Sequence, residues 1–191
     1  MKTMLPIARS DIHVHLTKDH IEQLFGKGYQ LTKWFDLTIP GQFACNERVT
    51  ATGKDGSIKD IVVVGPARDY TQLEISFSNG LTLGITPPLR NSGDIDNTPG
   101  AVITGTYGKL TLEKGVIAAK RHIHMHIKDA EDFGVKDRQI VKIKVPGPRG
   151  LLFDEVLVRV SPDNALEMHI DFDEGFAAGV EDFQLVELVK D

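Results

Sequence analysis

Apolar and polar residues alternate along most of this 191-residue chain. The alternation recurs in seven short segments, at residues 61–64, 73–77, 81–85, 101–103, 110–112, 140–145 and 153–160. A period of two indicates strands that bury one face, because successive side chains of a strand point to opposite sides of the sheet. Turn residues separate the segments, for example at residues 53–56, 97–100 and 146–150. The sequence therefore predicts a mainly β protein, with strand spacings typical of barrels or sandwiches.

Two short helices are predicted in addition to these strands. Thr17 can cap the first helix, which carries apolar residues at helical spacing and ends at Gly26. The second helix follows His126, covers residues 129–133 and ends at Gly134. Each helix comes directly after a segment in which histidines alternate with apolar residues.

An internal repeat organises the chain. HVHLTKDHIEQLFG, which begins at His13, aligns without gaps with HIHMHIKDAEDFGV, which begins at His122. GKDGSIKDIVVVGP followed by TQLEIS likewise resembles GPRGLLFDEVLVRVSP followed by ALEMHID. We therefore expect two pseudo-repeated domains with the same ordered parts. The first spans residues 1–92 and the second residues 93–191, with an approximate boundary that allows chain segments to interleave.

Composition limits the chemistry open to the chain. A net charge of -5 disfavours nucleic acid, because binding to a phosphate backbone needs clustered lysine and arginine. A single cysteine, Cys45, excludes an intrachain disulfide framework and a cysteine-rich metal site. No apolar run is long enough to span a membrane and no signal-peptide core is visible, so we expect a cytoplasmic protein. Any metal ion would have to be held by imidazole and carboxylate groups.

The two histidine pairs are the candidate metal ligands. His13 and His15 share one face of their strand, and His122 and His124 do the same in the second repeat. The repeat also supplies a third group, because Glu74 in TQLEIS falls at the position of His169 in ALEMHID. The predicted sets are His13/His15/Glu74 and His122/His124/His169.

Three protein ligands are typical of catalytic zinc, which keeps a fourth position for water or substrate. A single alternating pair of histidines is more often a polar strand face than a metal site. Two pairs in matched contexts, each with a matched third group, favour metal binding. Imidazole-rich ligation suits zinc best, although iron, cobalt and nickel are also compatible.

Several ordered motifs, over nearly the whole chain, resemble the phosphate propanoyltransferase family of the PduL type. They are HVHL, GQFA, GPAR followed by TQLEIS, RHIHM, and RGLLFDEVLVRVSP leading to ALEMHID. The resemblance implies a mainly β fold of two pseudo-repeated β-barrel domains capped by short α-helices, around a site with two zinc ions per chain. It also implies exchange of coenzyme A for phosphate on a short acyl group, propanoyl or acetyl, so that acyl-CoA and phosphate give acyl phosphate and CoA.

The resemblance assigns the same six residues as metal ligands and identifies Arg68 as the catalytic, phosphate-binding arginine. Arg68 follows Gly65-Pro66 and precedes the Glu74 strand, where a guanidinium could bind phosphate. No residues can be assigned to the CoA pocket, and a homo-oligomer is compatible with the sequence. One departure is Ile12, which stands where relatives commonly have arginine.

Other interpretations remain open at this point. Asp11-Ile12-His13-Val14-His15 also resembles the first strand of amidohydrolases, which would make the chain a zinc-dependent hydrolase, but those (β/α) barrels are longer and rich in helices. A non-enzymatic β-barrel module with structural metal ions is the other alternative. Some relatives enter bacterial microcompartments through an N-terminal extension. The twelve residues before His13 do not form an amphipathic helix, so we expect the cytoplasm rather than a microcompartment lumen.

Overall fold

The computed structural model describes residues 2–189, which divide into two compact units. The barrel unit contains residues 2–10, 38–40 and 120–189. The open-sheet unit contains residues 11–37 and 41–119. The boundary predicted between residues 92 and 93 therefore falls inside the open-sheet unit.

The barrel unit is built on a closed barrel of six strands within the described residues. In order around the barrel they are β1 (Met4–Ser10), β14 (Glu167–Asp171), β11 (His122–Met125), β13 (Leu152–Val160), β12 (Ile140–Lys144) and β15 (Leu185–Val189). Helices α3 (Ile127–Phe133) and α4 (Phe172–Ala178) follow β11 and β14. Alternate apolar residues of all six strands fill the interior, and the fully buried Phe133 ring packs with them.

The open-sheet unit has a sheet that curls without closing. In order across the sheet its strands are β7 (Leu89–Arg90), β10 (Val116–Ala119), β6 (Gln72–Glu74), β2 (His13–His15), β5 (Ser57–Gly65), β4 (Phe43–Thr52), β8 (Ala101–Thr104) and β9 (Lys109–Leu112). A further strand, β3 (Lys33–Asp36), pairs with β4. Helices α1 (Lys18–Phe25) and α2 (Phe77–Leu83) complete the unit. Its own apolar core includes Val14, Leu24 and Leu73.

The predicted repeat reappears in the strand pairing. In the open-sheet unit, β2 is parallel to β5 and antiparallel to β6. In the barrel unit, β11 is parallel to β13 and antiparallel to β14. Each arrangement is extended by one more parallel strand, β10 beside β6 and β1 beside β14.

The strand that precedes each histidine strand in sequence lies in the other unit. β1 comes just before β2 but pairs with β14 and β15 of the barrel. β10 comes just before β11 but pairs with β6 and β7 of the open sheet. This exchange of first strands explains why the units interleave along the chain instead of dividing it into two halves.

The mainly β prediction is confirmed, and so are both predicted helices. Thr17 caps α1 by accepting a hydrogen bond from the His20 N–H at 3.2 Å. The closed barrel corresponds to one of the two predicted barrels, while the second sheet is a curled half-barrel. No helix among residues 2–189 has the length and apolar character needed to cross a membrane.

One predicted strand is wrong. Residues 81–85 alternate apolar and polar side chains, yet this segment contains the end of α2. Ser76 and Asn79 form a capping box at the start of that helix, and Gly84 ends it in the left-handed conformation. Leu83 is buried and Leu81 is 83% exposed, so a period of two arises by chance on a short helix.

Candidate metal centres

The first set of candidate ligands lies on two paired strands of the open-sheet unit. His13 and His15 are on β2, and Glu74 is on β6 directly opposite His13. The Nε2 atoms of both histidines are 3.7 Å from Glu74 Oε1. One donor atom from each of the three side chains lies within 4.8 Å of the other two. The structure thus brings together the three residues that the repeat predicts.

Backbone carbonyl groups orient the two imidazole rings of this set. His13 Nδ1 is 2.8 Å from the Asp11 carbonyl oxygen, and His15 Nδ1 is 3.3 Å from the Val64 carbonyl oxygen. A carbonyl oxygen can only accept, so each Nδ1 carries a hydrogen, and in the neutral ring Nε2 keeps its lone pair. Both lone pairs are therefore available on the side of Glu74.

The charges around this set favour a bound cation. Burial lowers the pKa of His15 to about 3, assisted by the positive charges of His13 and Arg68, so its ring is neutral at physiological pH. Burial also lowers the pKa of His13, but the Glu74 carboxylate and the Asp11 carbonyl outweigh it and raise this pKa. The Glu74 charge thus draws a cation, whether a proton or a metal ion, to these nitrogens.

A polar network behind Glu74 leads to Arg68. The buried Gln72 amide donates to Glu74 Oε1 at 2.6 Å and to Ser92 Oγ at 2.8 Å, and the Ser92 hydroxyl donates to Glu74 Oε1 at 3.1 Å. Arg68 donates to Ser92 Oγ at 3.4 Å and to Gln42 Oε1 at 3.3 Å. Ser92 therefore connects the predicted phosphate-binding arginine with a predicted metal ligand.

The second set lies on the corresponding strands of the barrel unit. His122 and His124 are on β11, and His169 is on β14 directly opposite His122. The His122 and His124 Nε2 atoms are 3.0 Å apart, and donor atoms of all three residues lie within 4.8 Å of one another. The His169 ring centroid is 5.4 Å from that of His122 and 5.0 Å from that of His124.

His124 is the most deeply perturbed group of the second set. Burial lowers its pKa to about 2, with further contributions from His122, His169 and the positive charge of Arg159. Its Nδ1 atom is buried and has no hydrogen-bond partner among the described residues that meets the usual distance and angle limits, although the Asn164 amide is near enough to affect the pKa. Unsatisfied buried polar atoms are uncommon, and they often mark a site for a ligand or an ion.

Both donor sets fit a zinc ion. With Zn–N bonds of about 2.0–2.1 Å and tetrahedral angles, two ligand nitrogens lie about 3.3 Å apart, close to the 3.0 Å between His122 and His124. The low pKa values of His15 and His124 keep these rings neutral, and metal binding needs neutral imidazole. Each set offers three donors and so leaves a fourth position open.

Every strand that carries a candidate ligand runs into a short helix after the same interval. The last candidate ligand of each strand precedes the helix N-cap by two residues, in the pairs His15 and Thr17, Glu74 and Ser76, His124 and His126, and His169 and Asp171. The N-cap fixes the extended backbone just before the helix. The same unit of strand, candidate ligand, N-cap and helix therefore occurs four times among the described residues.

His20, His126, Arg121 and Cys45 lie outside the two sets. His20 bonds through Nδ1 to Thr71 Oγ1 at 2.6 Å, and His126 caps α3 by accepting from the Lys128 N–H. Arg121 forms an ion pair with Glu174 at 3.4 Å. Cys45 is fully buried, and burial raises its thiol pKa to about 11, which argues against a nucleophilic thiolate.

The sequence did not identify several polar groups around the candidate ligands. Gln72, Ser92 and Gln42 surround Glu74 and Arg68, while Glu167 contacts His169 and Arg159 affects His124. Strand alternation could have indicated Gln72 and Glu167, because each lies two residues before the third ligand on the same strand face. Ser92 lies in a loop and carries no comparable signal.

Fold and site define a β-rich protein with a closed barrel, a curled half-barrel and two matched candidate metal centres. The sequence model of the family described as phosphate propanoyltransferase matches residues 6–181. A phosphate propanoyltransferase of Clostridioides difficile is 48% identical over 189 residues, covering 99% of this chain and 90% of that protein. One of Thermotoga maritima is 53% identical over 182 residues, covering 95% of this chain and 87% of the relative. The chain belongs to the phosphate propanoyltransferase family.

This membership confirms the resemblance predicted from the sequence motifs and makes the chain an acyltransferase. A phosphate propanoyltransferase of Listeria monocytogenes is 46% identical over 94% of this chain and 84% of its own length, which agrees with the assignment. Neither the amidohydrolase-like hydrolase nor the non-enzymatic module is favoured by these relatives.

Proposed function

We propose that the protein transfers a short acyl group, propanoyl or acetyl, between coenzyme A and inorganic phosphate, with one zinc ion held by each donor set. Family membership supports the acyl and phosphate chemistry. The observation that supports a metal-dependent version of it is the convergence of His13, His15 and Glu74, and separately of His122, His124 and His169. We assign the first three as ligands of one ion and the second three as ligands of the other.

In the forward reaction a phosphate oxygen forms a bond to the acyl carbon, the carbon–sulfur bond breaks, and coenzyme A leaves as a thiolate that takes up a proton. Zinc, when bound, supplies Lewis-acid polarisation of oxygen and affinity for sulfur. Phosphate is already an anion, so the protein needs to orient and desolvate it rather than deprotonate it with a strong base.

Arg68 is proposed to bind that phosphate. The positive charge of Arg68 acts on the first donor set. It helps to lower the pKa of His15, although burial and His13 contribute more. Gln42 and Ser92 accept hydrogen bonds from the Arg68 guanidinium group, and these bonds restrict the orientation of its plane. A planar guanidinium can then donate two parallel hydrogen bonds to phosphate oxygens.

The test is to measure CoA release from propanoyl-CoA and from acetyl-CoA, with and without phosphate, on protein loaded with zinc and on protein treated with a chelator. We expect release only in the presence of phosphate, equal formation of acyl phosphate, loss of turnover after chelation and recovery with added zinc. Release that is independent of phosphate would indicate a thioester hydrolase instead. Full turnover in the chelated protein, verified to be free of metal, would contradict the proposed role of zinc.

A further inference from the structure

The two donor sets differ in the side chain that supports the third ligand. Glu74 in the first set corresponds to His169 in the second, since each lies opposite the first histidine of its pair. Two residues earlier on the same strands, Gln72 lies opposite His15 and Glu167 lies opposite His124. Gln72 and Glu167 therefore occupy equivalent positions in the two units.

Each of these two residues forms a short hydrogen bond with the third ligand of its own set. The Gln72 amide donates to Glu74 Oε1 at 2.6 Å. Glu167 Oε2 lies 2.7 Å from His169 Nε2. A carboxylate ligand is thus supported by a donor, and an imidazole ligand is supported by an acceptor, so the polarity of the hydrogen bond is reversed along with the ligand type.

The Glu167 carboxylate that contacts His169 is deeply buried. Its side chain is 4% exposed, whereas that of His169 is 20% exposed. A buried carboxylate needs a hydrogen-bonded or charged partner, because removal from water without one is costly. The His169 N–H meets that need, and as long as it does so Nε2 is not available to a metal ion.

The first histidine of each pair forms its hydrogen bond through the other ring nitrogen, Nδ1. His122 Nδ1 is 2.8 Å from the Lys120 carbonyl oxygen, just as His13 Nδ1 is 2.8 Å from the Asp11 carbonyl oxygen. These rings present Nε2 to their sets. His169 is engaged through Nε2 and can offer only Nδ1.

We propose that Glu167 is a positioning residue for the second metal centre, holding His169 in the tautomer that binds metal through Nδ1. This inference rests on the proposed function, since it requires that the second set holds zinc. A carboxylate that accepts the other ring N–H fixes the orientation of a ligating histidine and makes it a stronger ligand. Loss of such a partner typically weakens metal affinity by about 10- to 100-fold.

The test compares zinc affinity at each set in Glu167→Leu, which removes the acceptor at similar volume, and in Glu167→Gln, which keeps an acceptor oxygen without the charge. We expect Glu167→Leu to weaken one zinc equivalent by about 10- to 100-fold and to leave the other unchanged, with a smaller effect of Glu167→Gln. Glu47→Gln is the matched control, because Glu47 is also buried but bonds to Tyr29 and Thr32. That variant should keep both zinc affinities at the values of the unaltered protein.

Nitrogen NMR of protein with labelled histidine gives a second measurement, and it does not require Glu167→Leu to fold. The same spectra can be recorded for Glu167→Gln. In the zinc-loaded unaltered protein we expect one ligating histidine, His169, to have metal-bound Nδ1 and protonated Nε2. If the unaltered protein binds two zinc ions but Glu167→Leu binds both equally tightly, or if His169 ligates through Nε2, the inference is wrong while the proposed function stands. If the unaltered protein binds no zinc, the proposed metal centres fail first.

Discussion

At the residue scale, the candidate ligands were predictable because strand geometry has a simple period. Alternation placed His13 beside His15 and His122 beside His124, and the repeat identified Glu74 and His169. Among the supporting groups, Gln72 and Glu167 follow the same alternation, whereas Ser92 does not. Ser92 contacts Glu74 only because a loop folds back onto β6, and such a contact depends on tertiary structure that no local pattern encodes.

Arg68 provides the residue-scale prediction. Replacement by alanine removes the guanidinium group and should lower kcat/KM by about 10²- to 10³-fold, with the largest change in the KM for phosphate. Arg68→Lys keeps the charge but loses the bidentate fork, so it should recover only part of this loss. Steady-state kinetics with varied phosphate would measure both effects.

The matched control is Arg138→Lys, because the Arg138 side chain is 90% exposed and Arg138 lies outside both donor sets. Its kinetics should equal those of the unaltered protein. An Arg68→Ala enzyme with an unchanged KM for phosphate would reject the phosphate-binding role.

At the element scale, the sequence identified α1 and α3 but not α2 and α4. The missed helices contain seven residues each and begin with capping boxes, Ser76 with Asn79 and Asp171 with Glu174. Short helices carry little periodicity. The equally short α3 was indicated by its place in the repeat, whereas only the cap residues could have indicated α2 and α4. The parallel pairing of β1 with β14 was also beyond the sequence, because the partners are distant along the chain and no turn connects them.

The Ser76 cap allows a test of how far α2 depends on it. Ser76→Ala removes the side-chain acceptor for the Asn79 N–H and should lower the free energy of unfolding by about 1 kcal/mol. Ser76→Thr keeps a hydroxyl acceptor and should lose less. Urea denaturation of the two variants would compare them, and equal stability would show that the cap contributes little.

The ion pair between Arg9 and Asp182 predicts a pH dependence of stability. Asp182 accepts from the Arg9 guanidinium group at 3.0 and 3.1 Å and from the Arg9 backbone N–H at 2.9 Å, which lowers the pKa of the Asp182 carboxyl below 3.8. A lowered pKa contributes stability above the ordinary value of 3.8, and this contribution is lost as the pH falls through the folded-state pKa.

Asp182→Asn should therefore lower the free energy of unfolding by about 0.5–1 kcal/mol at pH 7, a modest effect because the pair is partly exposed and screened. The difference from the unaltered protein should disappear as the pH falls well below 3.8. Denaturation curves over a range of pH would measure it. A difference that persists undiminished in acid would mean that the pair does not act through its charge.

At the scale of the whole molecule, the fold class and the repeat were readable from the sequence, while the exchange of first strands was not. Each donor set is complete within one unit, which predicts two independent metal sites. Zinc content measured after dialysis should be two equivalents in the unaltered protein and one equivalent in His13→Ala or in His122→Ala. His126→Asn should keep two, because His126 caps α3 and asparagine is an effective cap.

If His13→Ala lost both equivalents, the independence of the two sets would be disproved. Retention of both equivalents in each of the alanine variants would instead disprove the ligand assignment. The double variant His13→Ala/His122→Ala should hold no zinc, and its unfolding should no longer respond to added zinc.

The exchanged strands also affect how the nascent chain folds. β1 leaves the ribosome long before its partners β14 and β15, which begin only at Glu167 and Leu185. During that interval β1 has no sheet to join, and an unpaired strand edge can associate with other chains. The open sheet can receive β10 much sooner, since residues 11–119 contain all of its strands. Synthesis therefore imposes an order on assembly, with the open sheet complete while the barrel still lacks its final strands.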